Sequence, residues 1–145
     1  MKIKLLENDL NAYDIKPTRE GDAGLDLRCC NRGVEIYPGE TKFINSGIAV
    51  AIPNGWVGQL YPRSGLGVKK GLVLGNTVGI IDSNYRGEIL IAVKNTGKEL
   101  IAIDYLDRIA ELVITPHYKL NNLMIVDELD STNRGDKGFG SSGDK

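Results

Sequence analysis

Short runs of alternating apolar and polar residues, each ended by a glycine or proline turn, recur along this chain and commit it to β-structure. Residues 34–37 stop at Pro38-Gly39, residues 42–45 and 48–52 lead to Pro53-Asn54-Gly55, and residues 56–61 stop at Pro62. Each run has strand length, and alternation is what a half-buried strand requires because successive side chains point to opposite faces. Further runs follow at 71–74, 77–81, 88–93, 100–103 and 108–115. No stretch carries a long apolar stripe at the 3.6-residue period of a helix. At most a single helical turn is expected near Ser64 to Lys70, with Ser64 capping its start and Gly71 ending it. The fold expected is all-β: a jelly roll or β-sandwich of many short strands, or a barrel.

At 145 residues the chain is one domain with a core of its own. From about Asp127 the composition turns to glycine, serine and charge, with Phe139 as the one aromatic, and such a segment cannot build a core. Residues 1–127 are therefore expected to form the core and 128–145 a flexible, Gly/Ser-rich C-terminal arm. Eighteen Lys and Arg against nineteen Asp and Glu leave a net charge of -1, so there is no general field to hold a nucleic acid. No apolar run approaches the roughly 20 residues of a membrane span. Lys2 and Lys4 are followed by Glu7, Asn8 and Asp9, which does not read as a signal peptide. Adjacent Cys29 and Cys30 suit neither a disulfide framework nor a zinc knuckle, and are expected as reduced thiols in a cytoplasmic protein. The single histidine, His117, leaves no parts for a His dyad or a His-based metal site.

Four places hold more polar chemistry than a sandwich needs. Asp26 lies among small residues in Gly21-Asp22-Ala23-Gly24-Leu25-Asp26-Leu27, and alternation points it away from the buried face; alone it reads as a turn aspartate. Pro62-Arg63-Ser64-Gly65-Leu66-Gly67 offers a guanidinium fork, a hydroxyl and open backbone N–H groups suited to phosphate oxygens, or simply a polar turn. In Gly79-Ile80-Ile81-Asp82-Ser83-Asn84-Tyr85-Arg86-Gly87 an apolar strand ends in a carboxylate placed to act as a base, although Asp-Ser-Asn is also good hairpin chemistry. Glu111, in Asp107-Arg108-Ile109-Ala110-Glu111-Leu112, faces opposite to its apolar neighbours, as an ordinary exposed strand residue would. Two tail patterns mislead. Gly138 to Gly143 spells G-x-G-x-x-G without the strand and helix that a dinucleotide site needs, and Arg134-Gly135-Asp136 spells an adhesion tripeptide.

Taken in order, these segments closely resemble the five motifs of the homotrimeric dUTPase family: GDAGLDL from Gly21, PRSGLG from Pro62, GNTVGIIDSNYRGEI from Gly75, DRIAEL from Asp107 and RGDKGFGSSG from Arg134. The resemblance spans the chain nearly end to end. It implies a jelly-roll trimer that hydrolyses dUTP to dUMP and pyrophosphate with Mg²⁺, at three sites shared between subunits, so limiting uracil in DNA and supplying dUMP for dTMP synthesis. By similarity Asp82 activates the water that attacks the α-phosphorus, Arg63 and Ser64 bind phosphate, and Gly65 leaves backbone room beside them. The magnesium is implied to be held mainly by the triphosphate, with Asp26 reaching its water shell. Asn76 and the hairpin backbone to Tyr85, Gly79 included, are implied to read uracil, with Tyr85 under the sugar. Glu111 falls among the substrate-binding positions. In the arm, Arg134, Ser141 and Ser142, with Gly140 beside them, are implied to meet the γ-phosphate, and Phe139 to stack on the base as a lid.

Three positions depart from the usual motifs: Asn84 stands where a second aspartate is common, Glu111 where glutamine is usual, and Lys137 where glycine is common. A carboxylate at 111 would be repelled by a triphosphate unless paired or turned away. A dCTP deaminase shares the fold, but Asp82 and Tyr85 match the dUTPase hairpin. A trimer that senses nucleotide and docks to a regulatory protein is a competing reading; no such partner is legible in the sequence.

Overall fold

A computed structural model describes residues 1–11, 15 and 19–138. Ten strands and one short α-helix follow in the order β1 (Lys2–Leu5), β2 (Gly24–Arg28), β3 (Val34–Ile36), β4 (Thr41–Ala51), β5 (Trp56–Pro62), α1 (Ser64–Lys70), β6 (Leu72–Leu74), β7 (Gly79–Ile81), β8 (Glu88–Asn95), β9 (Ile101–Ile103) and β10 (Arg108–Pro116). They pair as two four-stranded sheets, β1-β4-β8-β6 and β2-β10-β5-β7, with a two-stranded β3-β9 ribbon, all antiparallel. This is the jelly roll expected from the alternation. In β8, Ile89, Ile91, Val93 and Asn95 point inward while Leu90 and Lys94 point out. The facing sheet contributes Leu25, Leu27, Leu60 and Leu112 to the same core. Burying each such side chain is worth about 1.5–3 kcal/mol.

The structure departs from the sequence expectations at several points. Residues 42–45 and 48–52 are not two strands: one strand, β4, runs through both, and its register against β8 slips between Asn45 and Ala49. The slip is a bulge centred on Gly47, whose φ of 68° favours glycine. β1 pairs with β4 although its alternation is too brief to read alone, and β2 forms where the sequence suggested a turn around Asp26. β7 begins at Gly79, two residues later than the apolar run, because Thr77 takes φ 65° at the tip of the preceding turn. The helix does run from Ser64 to Lys70 and ends at a left-handed Gly71 (φ 74°). Its cap position, however, is Arg63, with no side-chain cap bond, so the Ser64 hydroxyl is not used as the cap.

Helix α1 buries none of its residues fully; Leu66 packs half-buried against the core, and the helix's C-terminal end is fixed by its neighbours. Buried Asn95 donates to the carbonyls of Ile36 and Glu99 (2.9 and 2.8 Å) and accepts from Gly97 N (2.9 Å). That fixes Gly97 beside Gly71, so close that a Cβ at 71 would come within 2.7 Å of Gly97 N. An unpaired group in this network would cost about 1–3 kcal/mol, and it seats the helix that carries Ser64 and Gly65. Beyond β10 the chain stops packing on itself: Leu120, Leu123, Met124, Ile125 and Leu129 are all strongly exposed. Among the described residues no helix is long and apolar enough to cross a membrane. Cys29 and Cys30 are both thiols, not disulfide-bonded; burial pushes the Cys29 thiol up, keeping it a neutral packing group.

Candidate active site

The outward face of the second sheet brings three rows of the sequence together. Asp26 on β2 lies directly across from Glu111 on β10, and Glu111 across from Tyr61 on β5. Just past β5, Arg63 turns back: its Nε donates to Asp26 Oδ1 at 3.0 Å and its Nη1 to the carbonyl of Arg108 at 3.1 Å. Arg108 Nη1 donates to Asp26 Oδ2, also at 3.0 Å. Both carboxylate oxygens thus hold a guanidinium in place, and the Asp26 side chain is only 17% exposed. Arginine pairs of this kind present fixed donors to an oxyanion without the reorganisation that mobile chains would require.

Local structure explains the aim of Arg108. The turn before β10 passes through Leu106 at φ 67°, a conformation held by Leu106 N donating to Cys29 O (2.7 Å) and Arg28 Nη1 donating to Leu106 O (2.8 Å). The register of β10 on β2 then shifts between Arg108 and Ala110. Ile109 and Ala110 are consequently both buried, Glu111 returns to the outward face, and Arg108 swings onto Asp26.

These groups line an open cleft of about 620 Å³, together with Arg19, Asp22, Gly24, Ser64 and Gly65. A Cβ at Gly65 would meet open space, so a glycine there leaves backbone accessible. A Cβ at Gly24 would come 2.5 Å from Glu111 Cγ, so glycine at 24 gives the Glu111 side chain its seat. Among the described residues the Glu111 side chain makes no hydrogen bond or ion pair. Of the positions the sequence pointed to, Asp26, Arg63, Ser64, Gly65 and Glu111 meet here. Arg108 and Gly24 were missed as site members: Arg108 is visible in sequence only as a charge beside a strand, and Gly24 only as a small residue near Asp26. Arg19 gave no signal at all.

Asp82 is elsewhere. It follows β7 and lines a second opening of about 770 Å³ with Trp56, Asn84, Arg86 and His117. Its carbonyl accepts Tyr85 N at 3.1 Å, and Arg86 Nη1 donates to the carbonyls of Ser83 and Tyr85, each at 2.7 Å, closing the turn. Tyr85 folds back over Gly87, where a Cβ would fall 2.6 Å from Tyr85 Cζ. Asn76 is exposed at the tip before β7, and Gly79 is buried against Leu60. Continuing the β5–β7 register puts Asp82 abreast of Val57, while Asp26 shares a row with Tyr61. Three strand spacings across and four residues along separate the backbones of Asp26 and Asp82 by roughly 20 Å.

In the arm, Arg134 Nε donates to Lys137 O at 3.1 Å, in an exposed turn that lines neither opening. Phe139, Gly140, Ser141 and Ser142 lie outside the described residues.

The dUTPase family model matches residues 11–143. The chain is 44% identical to the deoxyuridine 5'-triphosphate nucleotidohydrolase of Escherichia phage T5, across all of this chain and 99% of that one. With the nucleotidohydrolase of Aromatoleum aromaticum it shares 43% identity, covering 97% and 95% of the two chains. Its fold is similar to the dUTPase of Staphylococcus bacteriophage 80alpha with dUPNHPP, at a TM-score of 0.87 and 32% identity over 98% and 97% of the two chains. A dUTPase from phage phi11 of S. aureus, at a TM-score of 0.78 and 27% identity over 88% and 96%, coordinates a structural Mg(II) ion.

Proposed function

The chain belongs to the dUTPase family, and from that premise we propose that it hydrolyses dUTP to dUMP and pyrophosphate at sites divided between three copies of itself. The division is carried by the roughly 20 Å between Asp26 and Asp82, too far for both to serve one α-phosphorus within a single chain. One chain supplies Asp26, Arg63, Ser64, Gly65 and Glu111, a second Asn76, Gly79, Asp82 and Tyr85, and the third its arm. The exposed apolar residues beyond β10 support an oligomer, since neighbouring subunits would cover them. The thiols of Cys29 and Cys30 agree with a reducing, cytoplasmic setting.

Asp82 orients a water and takes its proton as the oxygen attacks the α-phosphorus in line with the leaving pyrophosphate. Arg63 and Ser64 hold phosphate oxygens, and Gly65 lets the triphosphate approach the backbone. Alignment of a flexible triphosphate and neutralisation of its charge supply most of the acceleration in phosphoryl transfer. Asn76 and the hairpin backbone around Gly79 complement the polar edge of uracil. Tyr85 lies under the sugar and leaves no room for a 2'-hydroxyl, which rejects UTP by shape. Arg134, Ser141 and Ser142, with Gly140, close on the γ-phosphate, and Phe139 covers the base.

Magnesium fits this site as a companion of the substrate. Among the described residues no three His, Cys, Asp or Glu side chains gather to hold a cation. Asp26 already accepts from two arginines, which suits it to a metal-bound water better than to the metal itself. When bound, Mg²⁺ neutralises charge on the phosphates; Asp26 orients its water shell and keeps Arg63 and Arg108 in position.

Glu111 opposes that charge balance. Glu111→Gln should lower KM for dUTP by about tenfold, with kcat within about threefold, because the amide removes an unpaired negative charge from a phosphate cleft. An unchanged KM would mean that the carboxylate turns away from the phosphates.

A subunit-mixing assay tests the divided site. Asp82→Asn and Arg63→Ala chains, each nearly inactive alone, should recover roughly one quarter of wild-type activity when co-assembled at equal amounts, since one site in four pairs an intact Arg63 with an intact Asp82. No recovery in verified mixed trimers would overturn the division.

A further inference from the structure

The turn that carries Asp82 and Tyr85 leads from β7 into the other sheet, where its first strand residue, Glu88 of β8, is tied to the neighbouring strand β4. At the register break in β4, Glu88 Oε2 accepts from Asn45 Nδ2 and Glu88 Oε1 from Gly47 N, both at 2.8 Å. Asn45 is itself fixed: its N–H donates to Asn31 Oδ1 at 2.7 Å and its Oδ1 accepts from Asn31 Nδ2 at 3.1 Å. Gly47 cannot be replaced freely, because a Cβ there would meet Cys30 Sγ at 2.5 Å and Leu10 Cδ1 at 2.7 Å. Both oxygens of Glu88 are therefore pinned to a bulge whose geometry is set by close packing. The carbonyl of that same residue accepts the Tyr85 hydroxyl at 2.9 Å, and among the described residues it is the hydroxyl's hydrogen-bond partner. The Tyr85 ring, 43% exposed, is thus held at its hydroxyl end, close against Gly87 and hydrogen-bonded to the Glu88 carbonyl.

We propose that Glu88 is a positioning residue for sugar choice, acting through the Tyr85 hydroxyl; the proposal rests on the reading of Tyr85 given above. Exclusion by shape works only if the excluding ring cannot yield, and a displacement of about 1 Å is enough to spoil an aligned site. Glu88 reaches no substrate. Its carboxylate fixes the backbone carbonyl that stops the ring from swinging away from an incoming 2'-hydroxyl.

The test is the ratio of kcat/KM for dUTP to that for UTP, measured in the full-length trimer. Glu88→Gln sets an amide donor against Asn45 and should lower the ratio by about tenfold, the size of one charge-assisted hydrogen bond, mainly through faster UTP turnover. Tyr85→Phe should lower it similarly, and the double variant should lie no lower than Tyr85→Phe. Asn45→Asp combined with Glu88→Gln reverses the polarity of the lost bond and should restore the ratio; this pair also answers for any folding defect of the single variant. A wild-type ratio in Glu88→Gln, with a lowered one in Tyr85→Phe, would overturn the role of Glu88 alone. Additive losses in the double variant would likewise place its effect elsewhere. A wild-type ratio in both Tyr85→Phe and Tyr85→Ala would overturn the sugar role of Tyr85 and this proposal with it.

Discussion

Asp82→Asn is expected to keep dUTP binding while kcat falls at least about 10²-fold, the lower end of what a positioned general base contributes. The amide has the carboxylate's shape and still orients a water, but it cannot take a proton at neutral pH. The turn should not shift. Arg86 holds the carbonyls of Ser83 and Tyr85, and the Asp82 carbonyl keeps Tyr85 N, none of which involves the carboxylate. Single-turnover rates with dUTP, beside the affinity for a non-hydrolysable analogue, separate the two effects. Turnover near wild type would assign the proton to another group.

Arg63→Ala should cost about 10²- to 10³-fold in kcat/KM, the range seen when a preorganised donor to a developing oxyanion is removed. The guanidinium does two things at once. Nε holds Asp26 and Nη1 holds the Arg108 carbonyl, so the variant loses a phosphate ligand and loosens the frame around Arg108. Arg63→Lys should recover only part of the loss, because an ammonium is a point charge that cannot span both acceptors. Stability should barely move, since a partly exposed ion pair is worth about 1 kcal/mol or less. A large fall in Tm for Arg63→Ala would mean that the residue is structural first, and the kinetic loss would then follow from unfolding.

Much of this molecule could be read from residue order because its main physics is local. The alternation of β8, and a left-handed glycine closing α1, need no knowledge of the third dimension. What was hidden depends on pairing. β1 is four residues long and becomes a strand only by lying on β4. Residues 42–45 and 48–52 read as separate strands because the bulge at Gly47 interrupts the alternation without breaking the strand. Ser64 has the chemistry of a cap, yet Arg63 occupies the cap position with extended backbone as it reaches for Asp26. Arg108 joins the cleft through a one-residue register shift that no periodicity foretells. Glu111, conspicuous in sequence as a misplaced carboxylate, has a physical seat over Gly24, also legible only once β2 and β10 are paired.

Hydrolysis of dUTP in H₂¹⁸O, followed by ³¹P NMR, tests the central claim most directly, because the isotope marks which phosphorus the water attacks. Attack at the α-phosphorus predicts ¹⁸O in the phosphate of dUMP, unlabelled pyrophosphate, and no orthophosphate among the first products. Label in pyrophosphate, or dUDP with orthophosphate, would contradict an Asp82-activated water directed at the α-phosphorus.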